Sequence, residues 1–333
     1  MLTEFTTVSN VSVIKLENDT CRKIPFSDEW RTLFDTATSI GVILALTSLL
    51  GNIFTIVQTR INKVLHTPTY TAILCLAISD SIAVVLRFIK FRANYLYALV
   101  FHCIDQKAKV FDAFVGIFAF ASLNASCYHL VMLSAMRYYI VAHPLKSYSV
   151  VTSRRIVVYS IFCWTCSGVI GAIYGLKVAM NTGFIGKAMS TKTSLIIEIA
   201  CVFYLLAITL IPCLTLHVMK IRKMHTYMTV RHRQERKMHT MMVAISVTTV
   251  VCLTAVLAFC LHFYVDGHEP FYLSNVAQSL FFVNHAAHPI FYFLFSGVSR
   301  NSRCRKRENG SFDSSSGSRL QSTRLRTFHR EES

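Results

Sequence analysis

TPTYTAILCLAISDSIAVVL, residues 67–86, holds a single charge in twenty positions, the carboxylate of Asp80. As a helix, about 20 such residues rise about 30 Å, the thickness of a bilayer's hydrocarbon core. A water-exposed fold could not bury the stretch on every side. Walking outward from charge to charge, six more stretches free of Asp, Glu, Lys and Arg appear, at 36–59, 113–136, 156–176, 199–219, 238–265 and 270–299. Backbone polar groups in lipid must be satisfied within their own segment, so each stretch is expected as a helix. The predicted fold is an all-α membrane protein, a bundle of seven transmembrane helices.

Composition agrees. Hydrophobic residues make up 53% of the 333 and charged residues only 15%, against roughly 25% charged in soluble domains. With 12 Gly and 6 Pro the chain is neither linker-rich nor collagenous. An ordinary cytosolic enzyme, a disordered chain and a small disulfide scaffold are all excluded. A net charge of +17 would point a soluble protein toward nucleic acid. In a membrane protein the excess marks cytoplasmic loops, and no nucleic-acid partner is expected.

Orientation follows from Lys and Arg. With the N-terminus outside, the inner loops and tail hold 22 of the 34 basic residues, which supports N-out and C-in. Three regions are expected: an extracellular segment 1–35, a bundle 36–299 and a basic, Ser-rich cytoplasmic tail 300–333. The sequons at Asn10 and Asn18 fit glycosylation of the outer segment. No cleavable signal peptide is expected, so the first span would act as the insertion signal. No solenoid-length repeat is visible. Most of the 11 Cys lie in the spans and read as small apolar core residues. Cys21 and Cys103 fall in outer segments, where a disulfide between them is expected. Cys304 follows the last span in a basic run, and is either palmitoylated or a free thiol.

Polar groups inside lipid cost several kcal/mol unless paired or hydrated, so each is a functional candidate. Asn52 lies in the first span, Asp80 in the second, Asn124 and Ser126 in the third, and Asn284, His285 and His288 beside Pro289 in the seventh. Asp80, Ser126 and Asn284 together would supply hard oxygen ligands for Na⁺ or bridging waters. Alternatively they are interhelical hydrogen bonds that hold the bundle.

The same residues carry a family resemblance. Gly51-Asn52, Leu76-Ala77-Ile78-Ser79-Asp80, Met136-Arg137-Tyr138 with His143-Pro144-Leu145, Trp164, Pro212, and His288-Pro289-Ile290-Phe291-Tyr292 stand in order on the seven spans. In this the chain resembles a rhodopsin-like (class A) G-protein-coupled receptor, over roughly residues 36–300. The resemblance implies a plasma-membrane, multi-pass, ligand-operated switch. In it the sixth helix swings from the third to open an inner cleft for a heterotrimeric G protein. Arg137, Glu235, Pro289 and Tyr292 would be switch residues, with an Arg137–Glu235 ion pair holding the inactive state. Arg137, Pro144 and Leu145 would meet the G protein. Phosphorylation of the tail, at Ser314 to Ser316 among others, would add acceptors for an arrestin-like partner.

The chain departs from the family's pattern in several places. Met136 replaces the usual acid before Arg137, and His288 replaces the Asn before Pro289. Cys252-Leu253-Thr254-Ala255 stands where Cys-Trp-x-Pro is usual. High basal activity, weak coupling or a non-signalling receptor follow as expectations. Phe282 replaces the retinal-binding Lys and Ala119 the amine-binding Asp, which argues against a photoreceptor and a monoamine receptor. Arg87 and Lys90 after the second span, Asp112 before the third and Glu198 at the start of the fifth suit a short peptide with an acidic group. Snorkelling at the membrane interface explains the basic ones equally well.

The third inner loop, from Lys220 to Lys237, suits anionic lipid. No phosphate loop, HExxH or nucleophile elbow is present, so no enzyme is expected. His225, His232 and His239 are too loosely spaced for a metal, leaving no cofactor beyond Na⁺ near Asp80. A transporter or channel along Asp80, Asn284 and His288 is the reading from another class, against which the lack of repeats counts.

Overall fold

A computed structural model describes residues 28–100, 106–181, 190–226, 232–266 and 271–296. All regular structure in them is helical: α1 (Asp28–Ile61), α2 (Pro68–Val100), α3 (Gln106–Ala142), α4 (Pro144–Val150), α5 (Ser153–Asn181), α6 (Thr191–Thr226), α7 (His232–Asp266) and α8 (Phe271–Ser296), with a 3₁₀ turn at Lys63–Leu65. Seven are long. Six of these contain windows long and apolar enough to cross a membrane, and α8 has no Asp, Glu, Lys or Arg in its 26 residues. The short α4 has no counterpart in the expected spans.

Local chemistry sets the helix ends. Pro68 opens α2 and Pro144 opens α4, where a missing N–H costs nothing. Thr152 and Ser190 are N-caps: their hydroxyls accept from the amides of Arg155 (3.4 Å) and Thr193 (3.2 Å). The Arg155 guanidinium donates to the carbonyls of Ser149 and Val150 and so closes the C-terminus of α4.

The helices overrun the apolar stretches, because a charged residue ends a hydrophobic run without ending a helix. With 33 residues, α2 is about 50 Å long. Arg87 and Lys90, expected after the span, therefore lie on α2. Asp112, expected before the third span, lies within α3, and Arg137 is followed by five more helical residues. Lys220, expected in an inner loop against lipid, is on α6 and 2% exposed. Helix α1 starts inside the expected outer segment, at Asp28.

Helix α3 packs against α2, α5 and α6, while α1 with α2, α1 with α8, α8 with α7 and α7 with α6 complete the ring. Close approaches need small residues. A Cβ on Gly51 would lie 2.7 Å from Pro289 Cγ, so α1 and α8 meet there. On α5, a Cβ on Gly171 would meet Ala121 at 2.7 Å and one on Gly175 would meet Ile117 at 2.6 Å. The outward faces are apolar, with Val158, Ile161, Phe162 and Ile173 of α5 all exposed. Asn52, Asp80, Ser126, His129, Arg137 and His285 are buried instead. Apolar outside and polar within is the pattern of a bundle dissolved in lipid.

Candidate functional site

Three residues of α3 mark three levels of the interior: Gly116, Ser126 and Arg137, about 15 and 16 Å apart along the axis. The middle level is built on Asp80, which is fully buried. Ser126 Oγ donates to its Oδ1 at 2.5 Å, His285 Nδ1 to Oδ1 at 2.9 Å and His288 Nδ1 to Oδ2 at 2.6 Å. An ionised carboxylate only accepts, so each imidazole carries its proton on Nδ1. The two His are three residues apart on α8, on one face. One carboxylate thereby joins α2, α3 and α8.

Pro289 explains part of the surroundings. Having no N–H, it leaves the carbonyl of His285, four residues earlier, without its helical partner. Asn52 supplies one: its Nδ2 donates to the His285 carbonyl at 3.3 Å and to the Ser48 carbonyl at 3.0 Å. Asn52 thus serves the helix backbone and makes no hydrogen bond to Asp80. Among the described residues, Asn52 Oδ1, Asn284 Oδ1, His285 Nε2, His288 Nε2 and Tyr292 Oη find no hydrogen-bond partner.

The expected set of Asp80, Ser126 and Asn284 is therefore corrected in one member. Ser126 reaches the carboxylate and Asn284 does not, while His285 takes a place assigned to no one. Na⁺ prefers hard oxygen donors. Here two of the three groups around the carboxylate are imidazoles, nitrogen donors in place of the expected oxygens. The donor set does not fit Na⁺.

At the level of Gly116, Lys177 of α5 donates to Glu198 Oε2 of α6 at 2.5 Å, with the two side chains 10% and 22% exposed. Tyr174 Oη donates to the same carboxylate at 3.3 Å, and its ring stacks on Phe120 of α3 at 4.3 Å. Lys90 Nζ lies 3.0 Å from where a Gly116 Cβ would stand. The Arg87 guanidinium sits 5.5 Å from the centre of the Phe281 ring. Of the four residues expected to line a ligand pocket, Arg87, Lys90 and Glu198 are thus gathered at one level. The side chain of Asp112 lies outside the described residues.

At the third level Arg137 is 8% exposed, too buried for a side chain reaching into water. Met136 packs with Leu133 of α3, Met238, Met241 and Met242 of α7 and Tyr292 of α8. The position where the family pattern has an acid faces an apolar cluster, which suits a thioether. Leu253 lies in a separate cluster with Cys127 and Leu205. Pro144 and Leu145 stand on α4, Leu145 87% exposed. Glu235 belongs to α7, but its side chain lies outside the described residues, as do Asn10, Asn18, Cys21, Cys103 and Cys304.

Two interior ties went unread in the sequence. His129 Nδ1 donates to the Ala125 carbonyl at 2.6 Å, leaving Nε2 to accept from Ser160 of α5 at 2.7 Å. Tyr128 of α3 and Tyr204 of α6 share a hydrogen bond of 2.6 Å. Only their depth within apolar spans could have signalled them.

The chain is 29% identical to human melanocortin receptor 3 over 39% of its own length and 41% of the receptor's. To human olfactory receptor 2AE1 it is 28% identical, over 48% and 47% of the two chains. To the neuromedin U receptor homolog nmur-2 of Caenorhabditis elegans it is 28% identical, over 45% and 39%. It spans less than half the length of each of these curated relatives. A family described as 7 transmembrane receptor (rhodopsin family) matches residues 51–292, a range that includes all three levels. Members of that family are receptors embedded in the membrane by several passes, not enzymes. The chain belongs to the rhodopsin family of seven-transmembrane receptors.

Proposed function

We propose that the chain is a plasma-membrane receptor that converts binding of an extracellular peptide into G-protein activation. Its N-terminus is outside and its tail is in the cytosol, so the Glu198 level faces outward and the Arg137 level inward. The observation that carries the reading is the stack of three interior polar levels, the middle and inner ones buried and the outer one part-open, within the residues that match the receptor family. A ligand that draws α5 and α6 together around Lys177 and Glu198 acts on the α6–α7 pair that also borders Met136. Differential contact of this kind is what a two-state switch requires.

Peptide chemistry is supported by relatives named for melanocortin and neuromedin U, and by the charges at the outer level. Arg87, Lys90, Lys177 and Glu198 put charges of both signs at the outer level, where a peptide's charged groups would find partners. Inward, an ion pair between Arg137 and Glu235 holds the resting state, and outward movement of α7 frees the cleft. Exposed Leu145 is placed to enter an apolar patch on the G protein. An arrestin-like protein is assigned to the tail.

Nucleotide exchange on a panel of G proteins, in membranes with and without the chain and with fractionated peptides, tests the reading. Exchange that rises with one fraction, and falls at least tenfold in potency in Lys90→Ala, supports it. Saturable peptide binding with no exchange on any G protein would make the chain a ligand scavenger instead, and would overturn the signalling reading.

A further inference from the structure

We infer that Asp80, His285 and His288 form a binding site for a divalent transition cation of the Zn²⁺ class. Three kinds of observation support it. The first is the donor set: one carboxylate oxygen and two imidazole nitrogens, all within 4.8 Å of one another and all buried. Imidazole with carboxylate suits Zn²⁺, whereas Na⁺ and Mg²⁺ call for oxygen alone. Three protein ligands leave a fourth tetrahedral position, and Ser126 Oγ, 2.5 Å from Asp80 Oδ1, is a further oxygen at the same carboxylate.

The second is distance. Zn–N and Zn–O bonds of about 2.0–2.1 Å place tetrahedral ligands about 3.3 Å apart. His285 Nδ1 lies 2.9 Å from Oδ1 and His288 Nδ1 2.6 Å from Oδ2. A cation on one of these oxygens needs its adjacent imidazole to move out by less than about 1 Å and the other to swing across, within a cluster whose three ligand atoms already lie inside 4.8 Å.

The third is the state of the other ring nitrogens. When Nδ1 binds a metal, a neutral imidazole moves its proton to Nε2, with no net proton lost. Nε2 of both His is without a partner among the described residues, and so are two buried amide oxygens, Asn52 Oδ1 and Asn284 Oδ1. The metal-bound tautomers place an N–H on each Nε2, in a core that also holds two unfilled amide acceptors, and acceptors of that kind orient histidine ligands. The bound cation also offsets the buried negative charge of Asp80. It clamps α2 to α8 through bonds that replace hydrogen bonds.

The test uses the full chain, purified in detergent, stripped with chelator and equilibrated overnight with Co²⁺ as a spectroscopic stand-in. No G protein or peptide is present, so the outcome does not depend on the signalling reading. One Co²⁺ per chain, with the visible bands of a tetrahedral nitrogen–oxygen site and displaced by Zn²⁺, is expected. His285→Asn and His288→Asn should each weaken uptake by at least about a hundredfold. His217→Asn, which alters a histidine bonded to Ser246 at 3.2 Å between α6 and α7, should leave it unchanged. Absence of uptake by the folded wild-type chain overturns the inference, and that arm stands even if a variant fails to fold. Uptake that survives in the His285→Asn/His288→Asn double variant overturns it too, as does an Asp80-dependent rise in melting midpoint with Na⁺ and none with Zn²⁺.

Discussion

Asp80 and Glu198 are both carboxylates inside a lipid-embedded bundle, and they are held in different ways. Asp80 is fully buried and accepts from three side chains on two other helices. Glu198 is 22% exposed, and its hydrogen-bond partners among the described residues are Lys177 and Tyr174 of α5. A charge with no water must have all its partners in place, so the protein is committed to one packing of α2, α3 and α8. A charge with access to water can exchange a partner for a ligand group. The comparison separates a centre that defines the fold from a rim that can respond.

The most direct way to break that contrast is to remove each acid. Asp80→Ala strands two imidazole N–H groups and a hydroxyl in a dry interior and is expected to cost about 3–5 kcal/mol. The melting midpoint of the purified chain measures it. Glu198→Ala removes an acid that is 22% exposed and leaves one cation and one hydroxyl without it, so it should cost less, about 1–3 kcal/mol. Equal losses at the two sites would remove the distinction.

A smaller effect is expected where backbone, not charge, sets the geometry of the centre. Gly51→Ala puts a methyl 2.7 Å from Pro289 Cγ, and the ring, fixed in its helix, cannot yield as a flexible chain would. The separation of α1 and α8 should cost about 1–3 kcal/mol. Asn52, one residue on, would lose its reach to the His285 carbonyl, so the variant should also weaken the Asp80 centre. Comparing the loss in wild-type and Asp80→Asn backgrounds checks this, since coupled sites give a non-additive sum.

Much of this was legible in the residues. Uncharged runs located seven helices because the bilayer imposes a length, and Asp80 stood out because lipid makes a lone charge expensive. The ends of the helices were not legible: Arg87 and Lys90 ended a run of hydropathy while α2 continued to Val100. Nor was the choice among Asn284, His285 and His288. At about 100° per residue these three fall within one sector of α8, and only packing against α2 decides that the two imidazoles, not the amide, reach the acid. The pairing at Lys177 and Glu198 also depends on two helices meeting, which neither segment reveals alone.

The smallest effect comes from two glycines of α5, and it has both signs. A Cβ on Gly168 meets nothing within 4 Å, whereas one on Gly171 meets Ala121 Cβ at 2.7 Å and the Ile117 carbonyl oxygen at 3.2 Å. Gly168→Ala keeps every contact and removes backbone freedom from the unfolded chain, so it should gain about 0.4–1 kcal/mol. Gly171→Ala gains the same entropy term but must push α5 from α3, and the second term is larger. That displacement would carry Tyr174 off the Phe120 ring, one turn from the Glu198 carboxylate. Gly171→Ala should therefore weaken peptide response while Gly168→Ala leaves it intact. A matched pair of melting midpoints and dose–response curves reads both. If the two alanines behave alike, the close packing of α5 on α3 is not what positions the outer level.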